Sequence, residues 1–145
     1  MTQLRLDGAV LLPDGVWVRG RGLRNPAPAG PDPEYGLYLG SARLRARHSV
    51  AWPHEWLDWP DFRLPRDTAL AVAGIRDLHR RGLDGQRVEV ACGGGIGRTG
   101  TVISALAVLA GVPVADAVAW ARAHYHPRAV ETPWQRRWVT TTFAG

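Results

Sequence analysis

Apolar and polar positions change their spacing several times along this chain, and each spacing predicts a different element. The short runs "AVLL" (Ala9–Leu12) and "VWVRG" (Val16–Gly20) flank the turn residues of "PDG", which predicts two strands joined as a hairpin. The stretch "NPAPAGPDPEYG", Asn25 to Gly36, is broken by four prolines and reads as a surface loop. "LYLG" (Leu37–Gly40) and "HSVAW" (His48–Trp52) are apolar enough for buried strands, and a tryptophan-rich loop follows through "HEWLDWPDF".

From Asp67 to about Arg81 the spacing becomes helical, with Leu70, Ala73 or Gly74, and Leu78 on one stripe, Asp67 as N-cap and Gly82 as C-cap. "RVEVA" (Arg87–Ala91) follows as a strand, and "RTGTVISALAVLAG" is apolar on nearly every face, as a buried central helix must be. Two further helices fit "PVADAVAWARAHY", with Pro113 at its start, and "TPWQRRWVTTTF", with Thr132 before Pro133. Strand, glycine-rich loop and buried helix in succession make an α/β arrangement.

Length changes the picture little: 145 residues, 46% of them hydrophobic, suit one domain spanning 1–145. Charge adds a direction. All 18 cationic side chains are arginine, and against 13 acids they leave a net charge of +5, which favours an anionic partner without naming one. The single cysteine, Cys92, excludes an intrachain disulfide framework and a cysteine-built zinc site. The N-terminus lacks a charged segment followed by a long apolar run, and no stretch reaches the ~20 apolar residues of a spanning helix. A reducing cytoplasm is the expected compartment, with no membrane partner.

The candidate chemistry lies in "VEVACGGGIGRTGT", Val88 to Thr101. Glycines 93, 94, 95 and 97 free the loop to turn several backbone N–H groups inward, and the helix that follows adds the positive end of its dipole. Arg98 closes the loop with a planar fork suited to two phosphate oxygens. The same N–H groups and guanidinium favour a thiolate over a thiol at Cys92. The loop lacks the lysine of a Walker nucleotide loop and the spacing of a dinucleotide fingerprint. Cleaving a phosphate ester also needs a proton donor for the departing oxygen. Asp61 in "WPDF" offers one, between Trp59, Pro60 and Phe62, which could close over a pocket; a turn former is its plainer role.

These residues resemble the cysteine-dependent protein tyrosine phosphatase superfamily. "CGGGIGRTG" is similar to the signature H-C-x-x-G-x-x-R-[ST], "WPD" to the separate acid loop, and "VETPWQ" (Val130–Gln135) to the glutamine-bearing loop that positions the hydrolytic water. The resemblance spans most of the chain and implies a central, mostly parallel sheet flanked by helices, with the anion-binding loop between a strand and a buried helix. It implies Cys92 as nucleophile forming a phosphocysteine, Arg98 as transition-state clamp, Asp61 as acid and then base, and Thr99 as the hydroxyl serving the leaving thiolate. The backbone of Gly93, Gly94, Gly95, Ile96, Gly97 and Arg98 becomes the phosphate cradle. Gln135 or Glu131 would position water. No metal or organic cofactor is called for; the expected partner is a phosphorylated protein or small phosphoester, with no nucleic acid, and the chain is expected to be a monomer.

Two positions depart from the family pattern. Ala91 stands where a histidine usually precedes the nucleophile, and Glu131 stands where many members carry glutamine. His48, His54, His79, His124 and His126 show no metal-ligand spacing, and the tryptophans, Trp134 and Trp138 among them, fit packing roles. "RLRAR" would put Arg43, Arg45 and Arg47 on one side of an extended segment, as a solvated face. The functions left open are a phosphatase acting on phosphotyrosine, with or without phosphoserine and phosphothreonine, a phosphoinositide or inositol phosphate phosphatase, and a phosphate-binding module without turnover.

Overall fold

The structure, a computed structural model, describes residues 5–144, so the ends of the expected 1–145 domain lie outside the described residues. Among them, five strands form one sheet: β1 (Val10–Leu11), β2 (Trp17–Gly22), β3 (Tyr35–Gly40), β4 (His54–Asp58) and β5 (Val88–Cys92), in the order β1-β2-β5-β3-β4. Only the β1–β2 hairpin is antiparallel. The α-helices are α1 (Ala42–Arg47), α2 (Thr68–Leu83), α3 (Gly97–Leu109), α4 (Ala117–His124) and α5 (Pro133–Thr142). This is the expected α/β fold with a mostly parallel sheet.

The last strand in sequence, β5, lies in the middle of the sheet and is buried throughout. Its alternation divides the protein into two layers. Val88, Val90 and Cys92 join one large core with Ile75 and Leu78 of α2, Val102, Ile103 and Leu106 of α3, Ala121 of α4 and Trp138 and Val139 of α5. Helix α3 is buried on all sides from Gly97 to Ala107, which explains a sequence apolar on nearly every face, and its Thr101 and Ser104 hydroxyls donate to the carbonyls of Gly97 and Gly100. The opposite face is thinner: Ala91 meets Leu23, Tyr38 and Leu44 of α1 in a small apolar cluster.

Several elements differ from the sequence-based expectation. The strand expected at His48–Trp52 forms instead at His54–Asp58, paired with β3 from Gly36↔His54 onward. Pro53 has no N–H to give, and β4 is an edge strand whose mixed, half-exposed composition hides its pattern. "RLRAR" is a short helix rather than an extended strip; Ser41 Oγ caps it by accepting the Leu44 N–H at 3.3 Å. Arg43 and Arg47 therefore share a face, four residues apart, and Arg45 leaves it. The buried stripe of α2 is Ala71, Gly74, Ile75 and Leu78, while Leu70 is 59% exposed. The small residues Ala71 and Gly74 let the helix approach the sheet closely: a methyl on Gly74 would meet Glu55 Oε1 at 2.9 Å. Helix α2 runs past Gly82 to Leu83, and the reversal falls at Gly85, whose φ is +88°. After Pro113 comes a 3₁₀ turn (Val114–Asp116) before α4 begins. Asp67 caps α2 and Thr132 caps α5, as expected.

An ion cluster is buried on the thin face. Glu89 Oε1 accepts from Arg19 Nε and Arg21 Nε, both at 2.8 Å, and Oε2 accepts from the Tyr38 hydroxyl at 2.7 Å. Trp52 Nε1 in turn donates to that hydroxyl at 2.7 Å. Burial and then the Glu89 charge push the Tyr38 phenol up, so it remains a donor. Removing the shared carboxylate would strand Arg19, itself almost wholly buried. Glu89→Ala is therefore expected to cost about 3–5 kcal/mol of stability, read by urea unfolding. A loss under about 1 kcal/mol would mean that water enters and rescues the arginines.

Candidate active site

Cys92 ends β5 at the carboxyl edge of the sheet, where open α/β folds bind ligands. The loop that follows is fixed from outside by its neighbours. Leu23 N–H donates to Cys92 O at 2.8 Å and Arg24 N–H to Gly93 O at 3.1 Å, which extends β2 along the loop's first residues. Gly95 has φ +76°, and a side chain there would strike the backbone of Arg21 and Gly22, so glycine is required on both counts. The Tyr125 hydroxyl donates to Gly95 O from below, its ring lying against Gly20. Burial, and next the charge of Cys92, push the Tyr125 phenol up and keep its proton in place.

Inside the loop, Gly95 N–H donates to Cys92 Sγ at 3.2 Å. Helix α3 begins at Gly97 with no side chain capping it, so its first N–H groups remain available to a ligand. Arg98 is 3% exposed and held by one nitrogen: Nη1 donates to Trp59 O at 2.9 Å and to Leu39 O at 3.3 Å. Its Nε has no partner, and Nη2 has only the Asp61 carboxylate at 3.4 Å. The Nε and Nη2 edge is the one that grips two oxygens of a single anion. Among the described residues, three buried side-chain polar atoms lack a partner: Arg19 Nη1, Arg98 Nε and Thr99 Oγ1. Two of the three belong to consecutive residues of this loop and helix start. Such groups are costly to bury empty, and an oxyanion satisfies them.

Asp61 stands above on the acid loop, half-exposed, with Oδ1 accepting the Phe62 N–H at 3.0 Å. The loop is anchored by three hydrogen bonds and an aromatic contact. Trp59 is buried and its Nε1 donates to Arg63 O at 2.7 Å. From α5, Trp134 Nε1 donates to Phe62 O at 2.6 Å, Gln135 Nε2 donates to Arg63 O at 3.2 Å, and Trp138 meets the Trp59 ring edge-on. Two non-glycine residues in the described chain have positive φ, Phe62 (60°) and Val130 (66°). Each adjoins a candidate residue, Asp61 and Glu131, and such strain persists only where the surroundings impose it. At Val130 the imposing group is Arg122, whose Nε and Nη2 hold the carbonyls of Ala129 and Val130, both at 2.8 Å.

The two residues expected to position water have different places. Gln135 is buried with both polar ends engaged, its Oε1 accepting the Glu131 N–H at 3.0 Å, so it braces the acid loop. The Glu131 carboxylate lies directly over Gly97, where a side chain on the glycine would collide with it. Ala91 faces Leu23, Tyr38 and Leu44, an apolar setting in which an imidazole would be crowded and unsatisfied. Sequence reasoning missed Tyr125, Arg122 and Arg24; nothing in their local sequence marks them, because the topology alone brings them to the loop. Among the described residues no three of His, Cys, Asp and Glu come together as a metal site would need, and no helix is long and apolar enough to cross a membrane.

Comparison with solved structures finds the same fold in Tk-PTP in its active form, with 22% identity, 94% of this chain and 96% of that chain covered, and a TM-score of 0.71. Kinase associated phosphatase, solved with its catalytic-site cysteine substituted by serine, gives 12% identity, coverage of 95% and 94%, and a TM-score of 0.71. PTPMT1 is 17% identical over 74% of each chain, with a TM-score of 0.57. Comparison with curated protein sequences finds no match. The family profile of the protein-tyrosine phosphatases matches residues 37–129. Because that match covers well over half of the chain and runs from β3 through the acid loop to the Cys92 loop and beyond, the chain belongs to the protein-tyrosine phosphatase family.

Proposed function

We propose that this chain hydrolyses phosphate monoesters, phosphotyrosine foremost, through a phosphocysteine intermediate. The observation that carries the reading is the unpartnered Nε of buried Arg98, beside an Nη2 that faces the Asp61 carboxylate, at the end of a loop that begins with the only cysteine. An oxyanion docked there takes two hydrogen bonds from the guanidinium and others from the loop backbone. Cys92 Sγ then attacks phosphorus, forming the S–P bond as the ester P–O bond breaks, and Asp61 gives its proton to the departing oxygen. Water attacks the phosphocysteine, Asp61 takes the water's proton, and the S–P bond breaks to return the thiolate, stabilised by the Gly95 N–H and by Thr99 Oγ1. The products are an alcohol or phenol and inorganic phosphate. Gln135 is committed to the acid loop, so placement of that water falls to Glu131.

A module that only held phosphate would have no use for an acid braced by Trp134, Gln135 and Trp59. The reading is tested by phosphate release from a phosphotyrosine peptide and an aryl phosphate, with acid quench during turnover to capture the phosphocysteine. Stoichiometric labelling at Cys92 is expected; release of phosphate with no labelled cysteine would overturn the covalent route, and binding without release would leave a binding module.

A further inference from the structure

Tyr125 follows the last residue of α4, and its hydroxyl donates to Gly95 O just before the phosphate loop turns into α3. The reaction above gives this contact no part. Its reach is longer than one oxygen, because the Gly95 C=O and the Ile96 N–H belong to the same planar peptide unit. No peptide bond among the described residues is cis, so the two groups point in opposite directions. Fixing the carbonyl outward on Tyr125 therefore fixes the Ile96 N–H inward, on the side where the Gly95 N–H already meets Cys92 Sγ. Among the described residues the Ile96 N–H has no backbone acceptor. It is a donor held ready for an anion.

The loop does not hold this plane by itself. Gly95 sits at φ +76° and a side chain on Gly94 would meet nothing within 4 Å, so both neighbours leave the chain free to turn there. With the plane turned over, the Gly95 carbonyl would face the anion and one cradle donor would be lost.

What holds it is built into two other elements. On β2, Gly20 is the seat of the ring: a methyl there would lie 2.6 Å from Tyr125 Cε1 and 2.7 Å from Cζ. On α4, the Tyr125 N–H donates to Ala121 O at 2.8 Å, which ties the residue to the helix end. Three residues back and on the same face, Arg122 grips the carbonyls of Ala129 and Val130. One helix end thus sets both flanks of the site, the loop through Tyr125 and the approach to Glu131 through Arg122. The direction of the bond is settled as well. Burial, and next the Cys92 charge, push the phenol up, so the oxygen keeps the hydrogen that the carbonyl accepts.

We propose that Tyr125, seated on Gly20, is a positioning residue for the transferred phosphoryl group: it holds the Gly95–Ile96 peptide so that the Ile96 N–H faces the anion. The kinetic arm of this assignment rests on the phosphatase reading, and the binding arm does not.

The test is Tyr125→Phe, which keeps the ring in its seat and removes only the oxygen. Inorganic phosphate is titrated into isotope-labelled parent and variant, and the Ile96 amide is followed by NMR. In the parent its proton is expected to move downfield as phosphate binds. In the variant that shift is expected to be lost and phosphate affinity to fall by about tenfold to a hundredfold, the range of a hydrogen bond to a charged group. A similar factor is expected in kcat/KM on a phosphotyrosine peptide and on an activated nitrophenyl ester alike, because the cradle serves the transferred group and Asp61 the leaving one. Gly20→Ala keeps the hydroxyl but crowds the ring; it is expected to weaken phosphate binding in the parent and to add little in Tyr125→Phe. A parent that shows the Ile96 shift without turnover overturns the phosphatase reading and leaves the assignment standing. Phosphate that leaves Ile96 unmoved in the parent, or an Ile96 shift and phosphate affinity in Tyr125→Phe within about twofold of the parent values, overturns the assignment.

Discussion

Cys92→Ser is expected to lower kcat on an aryl phosphate by about 10⁴-fold or more, the scale on which enzymes lose activity when a covalent nucleophile is removed. The serine hydroxyl keeps the size and position of the group but stays protonated near neutral pH, and the Gly95 N–H that stabilises a thiolate has no anion to stabilise. The cradle itself is made of peptide N–H groups and Arg98, none of which the substitution touches. Inorganic phosphate should therefore bind the variant about as well as it binds the parent. Steady-state turnover and a phosphate titration read the two halves separately. Turnover within tenfold of the parent would remove Cys92 from the mechanism, and loss of phosphate binding would place the anion elsewhere.

Asp61→Ala is expected to lower kcat by about 10²–10⁴ on a phosphotyrosine peptide and by visibly less on an activated nitrophenyl ester. The difference comes from the leaving oxygen: a nitrophenolate departs without a proton, and a tyrosyl oxygen does not. Asp61 is half-exposed and its neighbours hold the loop through Phe62 O and Arg63 O, so the variant should keep its fold and bind substrate. Equal losses on both esters would make Asp61 a turn residue whose removal merely disturbs the loop.

The Cys92 loop and the acid loop were legible in the sequence because each is a contiguous segment whose chemistry is carried by its own residues. Four glycines, an arginine and a buried-type helix announce a cradle without help from the rest of the chain, and "WPD" gathers an acid with its packing groups. Element boundaries failed where local pattern is weakest. Strand β4 is polar because it is an edge, and a six-residue alternation of arginine with small and apolar residues fits a strand as well as the short helix it becomes. Residues that act across the fold left no local trace. Tyr125 reaches Gly95 from thirty residues away in sequence, and Gln135, expected to handle water, turned out to spend its amide on the backbone of the acid loop.

That bracing has a meaning for how the protein divides its time. To swing Asp61 outward together with Phe62 and Arg63, the chain must break the two hydrogen bonds that α5 sends to this loop, from Trp134 to Phe62 O and from Gln135 to Arg63 O. At about 0.5–1.5 kcal/mol net for each, the swung-out form lies roughly 1–3 kcal/mol higher and is a minority species of between about a sixth and about one in a hundred and fifty. The ordering of the acid is then accomplished when the polypeptide folds, not each time a phosphate arrives. The last helix of the chain, far from the nucleophile in sequence, thereby sets the resting population of the acid.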